Sequence, residues 1–218
     1  MDSPRPPWVH PTALVEEGVQ LGPNTRVWDS VHIRKGARIG HDCIIGEKTY
    51  IAYDVAIGNF VKMNAAVYVC AEVEIEDFCM LSAHVVFTND RFPRSGNREL
   101  TGLETSAPTE ETLRTRVRRG VSIGANATIG PGITLGEFSM VGMGSVVTRE
   151  VPAFALALGN PARVAGWLSA CGSPLVRGRD LQAPAPGNPR RLHCERCGRD
   201  YLWDAAGVRP EKPISSAP

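Results

Sequence analysis

Every sixth residue from Val9 to Phe87 is apolar, fourteen positions in a row that include Val27, Ile33, Ile45, Ile57, Val69 and Leu81. In a chain that is 43% hydrophobic, such a run arises by chance with odds of roughly one in a hundred thousand. The same phase returns after a gap at Val117, Ile123, Ile129, Leu135, Val141 and Val147. The position four after each apolar residue is small or β-branched, from Ala13 through Thr25, Cys43 and Val61 to Val85. Glycine recurs directly after the aliphatic residue, at Gly22, Gly40, Gly46, Gly58, Gly124, Gly130, Gly136 and Gly142. A period of six is neither the 3.6 of a helix nor the 2 of a flat strand. It predicts a short strand followed by a sharp turn, repeated, with glycine relieving the backbone at the turns.

Three such units close one triangular coil, and stacked coils make an all-β, parallel β-helix whose interior the aliphatic rows fill. Strands of successive coils then lie about 4.8 Å apart. Cys43 and Cys79 fall on the wall of this core as small buried hydrophobes. Composition agrees with a turn-rich architecture: 22 Gly, 17 Pro and only 6% aromatic residues.

HVVFTNDRFPRS, residues 84 to 95, ends the repeat. The hexad fails from Thr88 to Arg116, and a loop this long in so regular a scaffold carries function or lacks order. Its middle, GNRELTGLETSAPTEETL, is polar and expected to be mobile. The hexads, with the ending GMGSVVTREVPAFALALGNPARVAGW, resemble the hexapeptide-repeat acyltransferases from residue 9 to about 167. That resemblance implies a left-handed winding, a homotrimer, and an acyl-CoA bound in the cleft between neighbouring subunits. The stretch FTNDRFPRS is similar to a narrower group, N-acetyltransferases of nucleotide-linked 3-amino sugars. The function it implies is transfer of acetyl from acetyl-CoA to the amine of a dTDP- or UDP-linked amino sugar, for surface polysaccharide synthesis. Two other readings stay open: a non-catalytic β-helical binding or assembly protein, and an acyltransferase for another small acceptor.

The expected organisation is a β-helix domain over 1–167, with the insertion at 88–116, and a tail over 168–218. A sugar amine must be neutral to attack a thioester, so a base beside it is the chemistry to look for. His84, at an outward repeat position directly before the loop, is the candidate; the alternative is a loop cap bonded to Asn89 or Asp90. Asn89 and Asp90 read either as sugar ligands and orienters of His84 or as an Asx turn. Arg94 follows the stiff Pro93 and reads as a diphosphate clamp or as a solvated cation. Tyr68, one coil below, is placed to pack on the sugar, and Cys70 stands where the resemblance leads one to expect a ring. Arg114, Arg116, Arg118 and Arg119 form a basic run, by default a solvated edge and otherwise a rim for the anionic CoA. The resemblance further places backbone groups near Ala125 and Gly142 on the pantetheine arm, and Arg149 and Arg163 near the CoA phosphates or adenine.

A formal charge of +1 and a pI near 7.7 give no electrostatic footprint for nucleic acid or an anionic membrane. The N-terminal MDSPRPPWVHPT has no apolar core of a secretory signal, and no apolar run is long enough for a bilayer. The expectation is a cytoplasmic protein with six reduced thiols. No close His pair supports a zinc site within the coils. In the tail, LHCERCGRDYLW carries one C-x-x-C knuckle, half of a zinc ribbon. Cys171, Cys194 and Cys197 are candidate ligands, one short of four, with Ser169 where a partner knuckle would have its first cysteine. His193 adjoins Cys194 too closely to serve well. The end, VRPEKPISSAP, is expected to be disordered.

Overall fold

The computed structural model describes residues 3–105 and 107–214. Two-residue strands recur every six residues and distribute onto three parallel faces, as the hexad requires. On the first face Trp8 pairs in register with Arg26, Arg26 with Ile44, Ile44 with Lys62, and Lys62 with Met80. Each step is eighteen residues, three hexads, which is one coil. The next pair, Met80 with Ser122, is 42 residues apart, so one coil carries 24 extra residues. The result is the expected all-β solenoid.

The predicted apolar rows are its core. Ile33, Ile45, Ile51, Val69, Leu81, Phe87, Ile129 and Leu135 are fully buried, each such side chain contributing about 1.5–3 kcal/mol relative to exposure. Cys43 and Cys79 lie in the wall, their thiols donating to Gly58 O at 3.2 Å and Arg118 O at 3.1 Å. Burial pushes the Cys79 thiol up to about 12. Thr25 is buried on the same row and donates to Gly40 O at 2.7 Å, so its hydroxyl is satisfied.

The glycines have a different reason from the one expected. Gly22, Gly40, Gly46 and Gly58 are not among the positive-φ residues. They sit where coils approach most closely: a Cβ on Gly22 would lie 2.5 Å from Gly40 C, and one on Gly46 2.6 Å from Asn64 C. The left-handed turn positions hold other glycines, Gly18, Gly36, Gly120, Gly132 and Gly144, and in the remaining turns residues such as Asp42, Asp54, Phe60, Phe78, His84 and Asn126, these six with φ between 55° and 60°. Each costs about 1–3 kcal/mol for a non-glycine residue. Stacked rings offset part of it, Phe60 on Phe78 at 4.8 Å and Phe138 on Phe154 at 5.5 Å.

The solenoid resumes after the insertion at strand Thr115–Val117, paired with Val73–Ile75, so Arg116 belongs to a coil. Within the insertion's polar middle, residues 96–103 form a small antiparallel turn. Gly96 bridges Leu103, and the Asn97 carboxamide accepts the Thr101 amide at 2.9 Å. Beyond the last coil, Ala155–Gly159, Ala162–Leu168 and Pro174–Arg177 turn antiparallel. The tail ends in a three-stranded sheet, Arg190–His193, Asp200–Asp204 and Gly207–Pro210. Val208–Pro210, expected to be disordered, forms most of its third strand because the buried Trp203 and Val208 pair across it; residues 215–218 lie outside the described residues. Tyr201 packs edge-on to Phe154 at 5.7 Å and accepts the Ala170 amide at 2.9 Å, so the tail closes the end of the core.

Candidate functional site

His84 stands at the corner between strands Met80–Leu81 and Val86–Phe87. Its amide donates to Ala65 O at 3.0 Å; above it Asn126 N reaches Ala83 O at 3.0 Å, and Gly144 N reaches Ala125 O at 2.8 Å. One corner therefore stacks Ala65–Ala66, Ala83–His84, Ala125–Asn126 and Met143–Gly144. The imidazole is exposed on this ridge and makes no hydrogen bond among the described residues. The loop-cap alternative, with His84 bonded to Asn89 or Asp90, is thus not the arrangement found. Its φ of 60° recurs at every coil, so the backbone there marks the repeat and not the chemistry.

Asn89 and Asp90 follow Thr88, which still holds the ladder through its amide and hydroxyl to Ile129 O, at 3.0 and 3.3 Å. They lie at the next corner, above the buried Cys70. Burial, helped by the Asp90 charge, pushes that thiol up to about 12 and leaves it protonated. His84 and Asp90 thus flank the same short strand, six residues apart along the chain, a span of up to roughly 20 Å. On the face between them, one coil below, Tyr68 pairs with Val86. Its ring stacks on Tyr50 at 5.2 Å, which His32 meets edge-on at 5.5 Å. Burial raises the Tyr68 phenol, so it is a neutral donor.

Among the residues carried over for the cofactor, Ala125 and Gly142 share the His84 corner. Gly142 N donates to Ala157 O at 2.9 Å, and a Cβ on Gly142 would strike Leu158, which is paired with Arg163. Arg163 is therefore on the same side as His84, exposed, with Nη1 on its own Ala162 O at 2.8 Å. Arg149 is exposed beyond Val147, at the corner that Asn89 and Asp90 occupy two coils earlier. Arg94 is exposed and donates to Pro93 O at 3.0 Å.

The basic run has partners that the sequence alone did not reveal. Arg114, Arg116 and Arg118 face Glu72, Glu74 and Glu76 across one coil, at 2.9, 3.7 and 2.5 Å. Arg119 lies over the Phe78 and Phe138 rings at 5.5 and 5.7 Å. The three ion pairs join the two sides of the insertion. Two features escaped sequence reading. Met143 is 83% exposed at the His84 corner, and Phe92, Leu100 and Leu103 are exposed on the insertion, each above 80%. Their signal was an apolar residue at a turn of the hexad or in a polar loop.

In the tail, the sulfurs of Cys171, Cys194 and Cys197 lie within 4.8 Å of one another. Ser169 Oγ is 3.1 Å from Cys171 Sγ and 3.4 Å from Cys197 Sγ. Burial raises the Cys171 thiol, but hydrogen bonds from Ser169, Ser173 and Cys197 outweigh it and bring it down to about 6. Arg199 donates to Cys197. His193 turns away, its Nδ1 on Asp200 Oδ1 at 2.7 Å.

Residues 18–53 match the family described as bacterial transferase hexapeptide (six repeats), and residues 117–149 match the hexapeptide repeat of succinyl-transferase. The two matches lie on either side of the insertion. It is 56% identical over 62 residues to a dTDP-3-amino-3,6-dideoxy-alpha-D-galactopyranose 3-N-acetyltransferase from Aneurinibacillus thermoaerophilus, covering 28% of this chain and 32% of that protein. It is 42% identical over 48 residues to the galactoside O-acetyltransferase of Escherichia coli, covering 22% and 24%. The matches thus span about a third or less of these relatives' length. Among solved structures, a mutant N-acyltransferase from Bacillus cereus with dTDP and coenzyme A aligns over 79% of this chain and 82% of that one, at 20% identity and a TM-score of 0.47.

Proposed function

We propose that this chain is an acetyl-CoA-dependent N-acetyltransferase for the amine of a dTDP- or UDP-linked amino sugar, working in the cytoplasm in surface polysaccharide synthesis. The observation that carries the reading is the coil at which the solenoid breaks. It presents the exposed His84 at one corner and Asn89 and Asp90 at the next, with the Tyr68 ring of the coil below on the face between. The 62-residue match to an amino-sugar N-acetyltransferase supports the same acceptor class.

In this reading the neutral amine attacks the thioester carbon, and His84 takes the proton that the nitrogen then carries. The tetrahedral intermediate collapses, the carbon–sulfur bond breaks, and the proton on His84 passes to the departing CoA thiolate. Asn89 and Asp90 hold the sugar, Tyr68 packs on it, and Arg94 takes the diphosphate. Backbone groups at Ala125 and Gly142 hold the pantetheine arm, with Arg149 and Arg163 on the CoA phosphates or adenine. A neighbouring copy in a homotrimer supplies the second wall, a role that the exposed Met143, Leu100 and Leu103 suit.

Thiol release from acetyl-CoA with a panel of dTDP- and UDP-linked amino sugars tests the reading. Turnover with at least one amino sugar is expected. A silent panel together with no CoA binding by calorimetry would make the chain a non-catalytic assembly protein. The match to a galactoside O-acetyltransferase favours a second reading, a hydroxyl acceptor. Adding simple galactosides to the panel separates the two.

A further inference from the structure

Three thiols and one hydroxyl meet where the tail sheet returns to the end of the solenoid, and no step of acetyl transfer uses them. We propose that Cys171, Cys194 and Cys197, completed by the hydroxyl of Ser169, bind one zinc-class divalent cation that fastens the tail to the last coil.

The donor geometry fits such an ion. Cys171 Sγ and Cys194 Sγ are 3.7 Å apart, against ~3.8 Å for two sulfurs on one tetrahedral zinc with 2.3 Å bonds. Ser169 Oγ is 3.1 and 3.4 Å from two of the sulfurs, against ~3.5 Å for an oxygen and a sulfur sharing that centre. Ser173 Oγ touches Cys171 alone, at 3.4 Å, so Ser169 is the better fourth donor. His193 is excluded by its bond to Asp200.

The backbone supports the same conclusion. Ser169-x-Cys171-Gly172 and Cys194-x-x-Cys197-Gly198 are two tight knuckles facing one another. Each closes on a glycine in the left-handed region, with φ of 80° and 66°. Gly172 N donates to Ser169 O and Gly198 N to Cys194 O, both at 2.8 Å.

Charge explains why a serine suits the fourth corner. A divalent ion with three thiolates leaves one negative charge, and the Arg199 guanidinium beside Cys197 cancels it. A fourth thiolate would leave two negative charges against that one cation, at a cluster in which Cys194 is buried and Cys171 and Cys197 partly so. The clamp ties the exit of strand Ala162–Leu168 to the knuckle after Arg190–His193. It thereby holds the sheet that carries Tyr201 and Trp203 over the end of the core.

The test uses the full chain, purified without chelator. Metal analysis is expected to find about one zinc per chain. Cobalt substitution should give the visible spectrum of a tetrahedral thiolate site, and Ser169→Cys should raise the sulfur-to-metal charge-transfer intensity by about one third, three thiolates becoming four. Ser169→Ala should release zinc to a competing chelator about tenfold more readily. The proposal is overturned if the native chain neither holds zinc nor takes up cobalt while its tail thiols react freely with a disulfide reagent. A Cys171–Cys194 disulfide found by mass spectrometry would overturn it too. Unchanged cobalt spectrum and zinc retention in Ser169→Ala would remove Ser169 from the site. Should Ser169→Cys fail to fold, the metal count and cobalt spectrum of the unsubstituted chain still decide.

Discussion

Along the second face of the solenoid Ile33, Ile51 and Val69 stack in register, as do Phe87, Ile129 and Val147, each at most 1% exposed. In the tail two rings, Tyr201 and Trp203, are buried to the same degree, and around them the chain uses a hydroxyl bond to Ala170 N and a thiol cluster. The solenoid spreads its stabilisation over many equivalent contacts between coils, whereas the tail concentrates it in a few unlike ones. Repetition also frees some corners: where no stacked ring occupies the left-handed position, as Phe60 and Phe78 do, an outward side chain is available for chemistry. His84 is such a residue, and no equivalent freedom exists at Tyr201.

The sharpest break of this comparison is at His84. His84→Ala is expected to lower kcat by roughly 10²–10⁴-fold if the ring is the base, with KM changed much less and the melting temperature unchanged. Steady-state kinetics beside a thermal melt reads both. Near-normal kcat in His84→Asn would sink the base role, because that side chain can bond a sugar but cannot take a proton at neutral pH.

Next in size are the large buried side chains. Trp203→Ala should cost the tail about 3–5 kcal/mol, and Leu81→Ala the solenoid about 2–5 kcal/mol. Hydrogen exchange distinguishes them: the first should free amides over 190–210 alone, the second should loosen neighbouring coils together. If Trp203→Ala loosened every coil, tail and solenoid would be one cooperative unit and the contrast would fail.

Glycine substitutions probe the repeat more finely. Gly46→Ala drives a Cβ to 2.6 Å from Asn64 C and should destabilise by about 1–3 kcal/mol, since backbone cannot give way cheaply. Gly18 has a φ of 77° with open space around it, so Gly18→Ala should cost only about 1 kcal/mol of backbone strain. Denaturant titration of the pair separates close approach from conformational freedom.

The smallest expected effect concerns the first coils. Glu16 is held below its ordinary 4.5, chiefly by the hydrogen bond from His32, then by the Lys35 amide and the Arg34 charge. A lowered carboxylate stabilises the fold above pH 4.5, and that contribution is lost as pH falls through the lowered value. His32→Ala should move the Glu16 titration back up when followed by NMR. No upward movement would assign the shift to Lys35 and Arg34.

The coil length, the three faces and the buried rows were legible in the residues themselves, because a six-residue turn brings an inward position round at a fixed interval, where an apolar side chain or a small one with its hydroxyl satisfied fits. The place of the break was legible for the same reason. Other facts depended on what lies beside a residue one coil away. Arg114, Arg116 and Arg118 look like a free basic run until Glu72, Glu74 and Glu76, 42 residues earlier, come to rest against them. His84 and Asp90, close in sequence, are held apart on two corners because a strand of the repeat runs between them. The recurrent glycines answer to the neighbouring coil's backbone and not to their own torsions. Ser169, which the sequence marks only as the place of a missing cysteine, gains its second thiol neighbour, Cys197, when the tail folds back 28 residues later. A periodic pattern encodes the contacts that every coil makes alike, whereas contacts made once, between unlike segments, exist only after the chain has closed on itself.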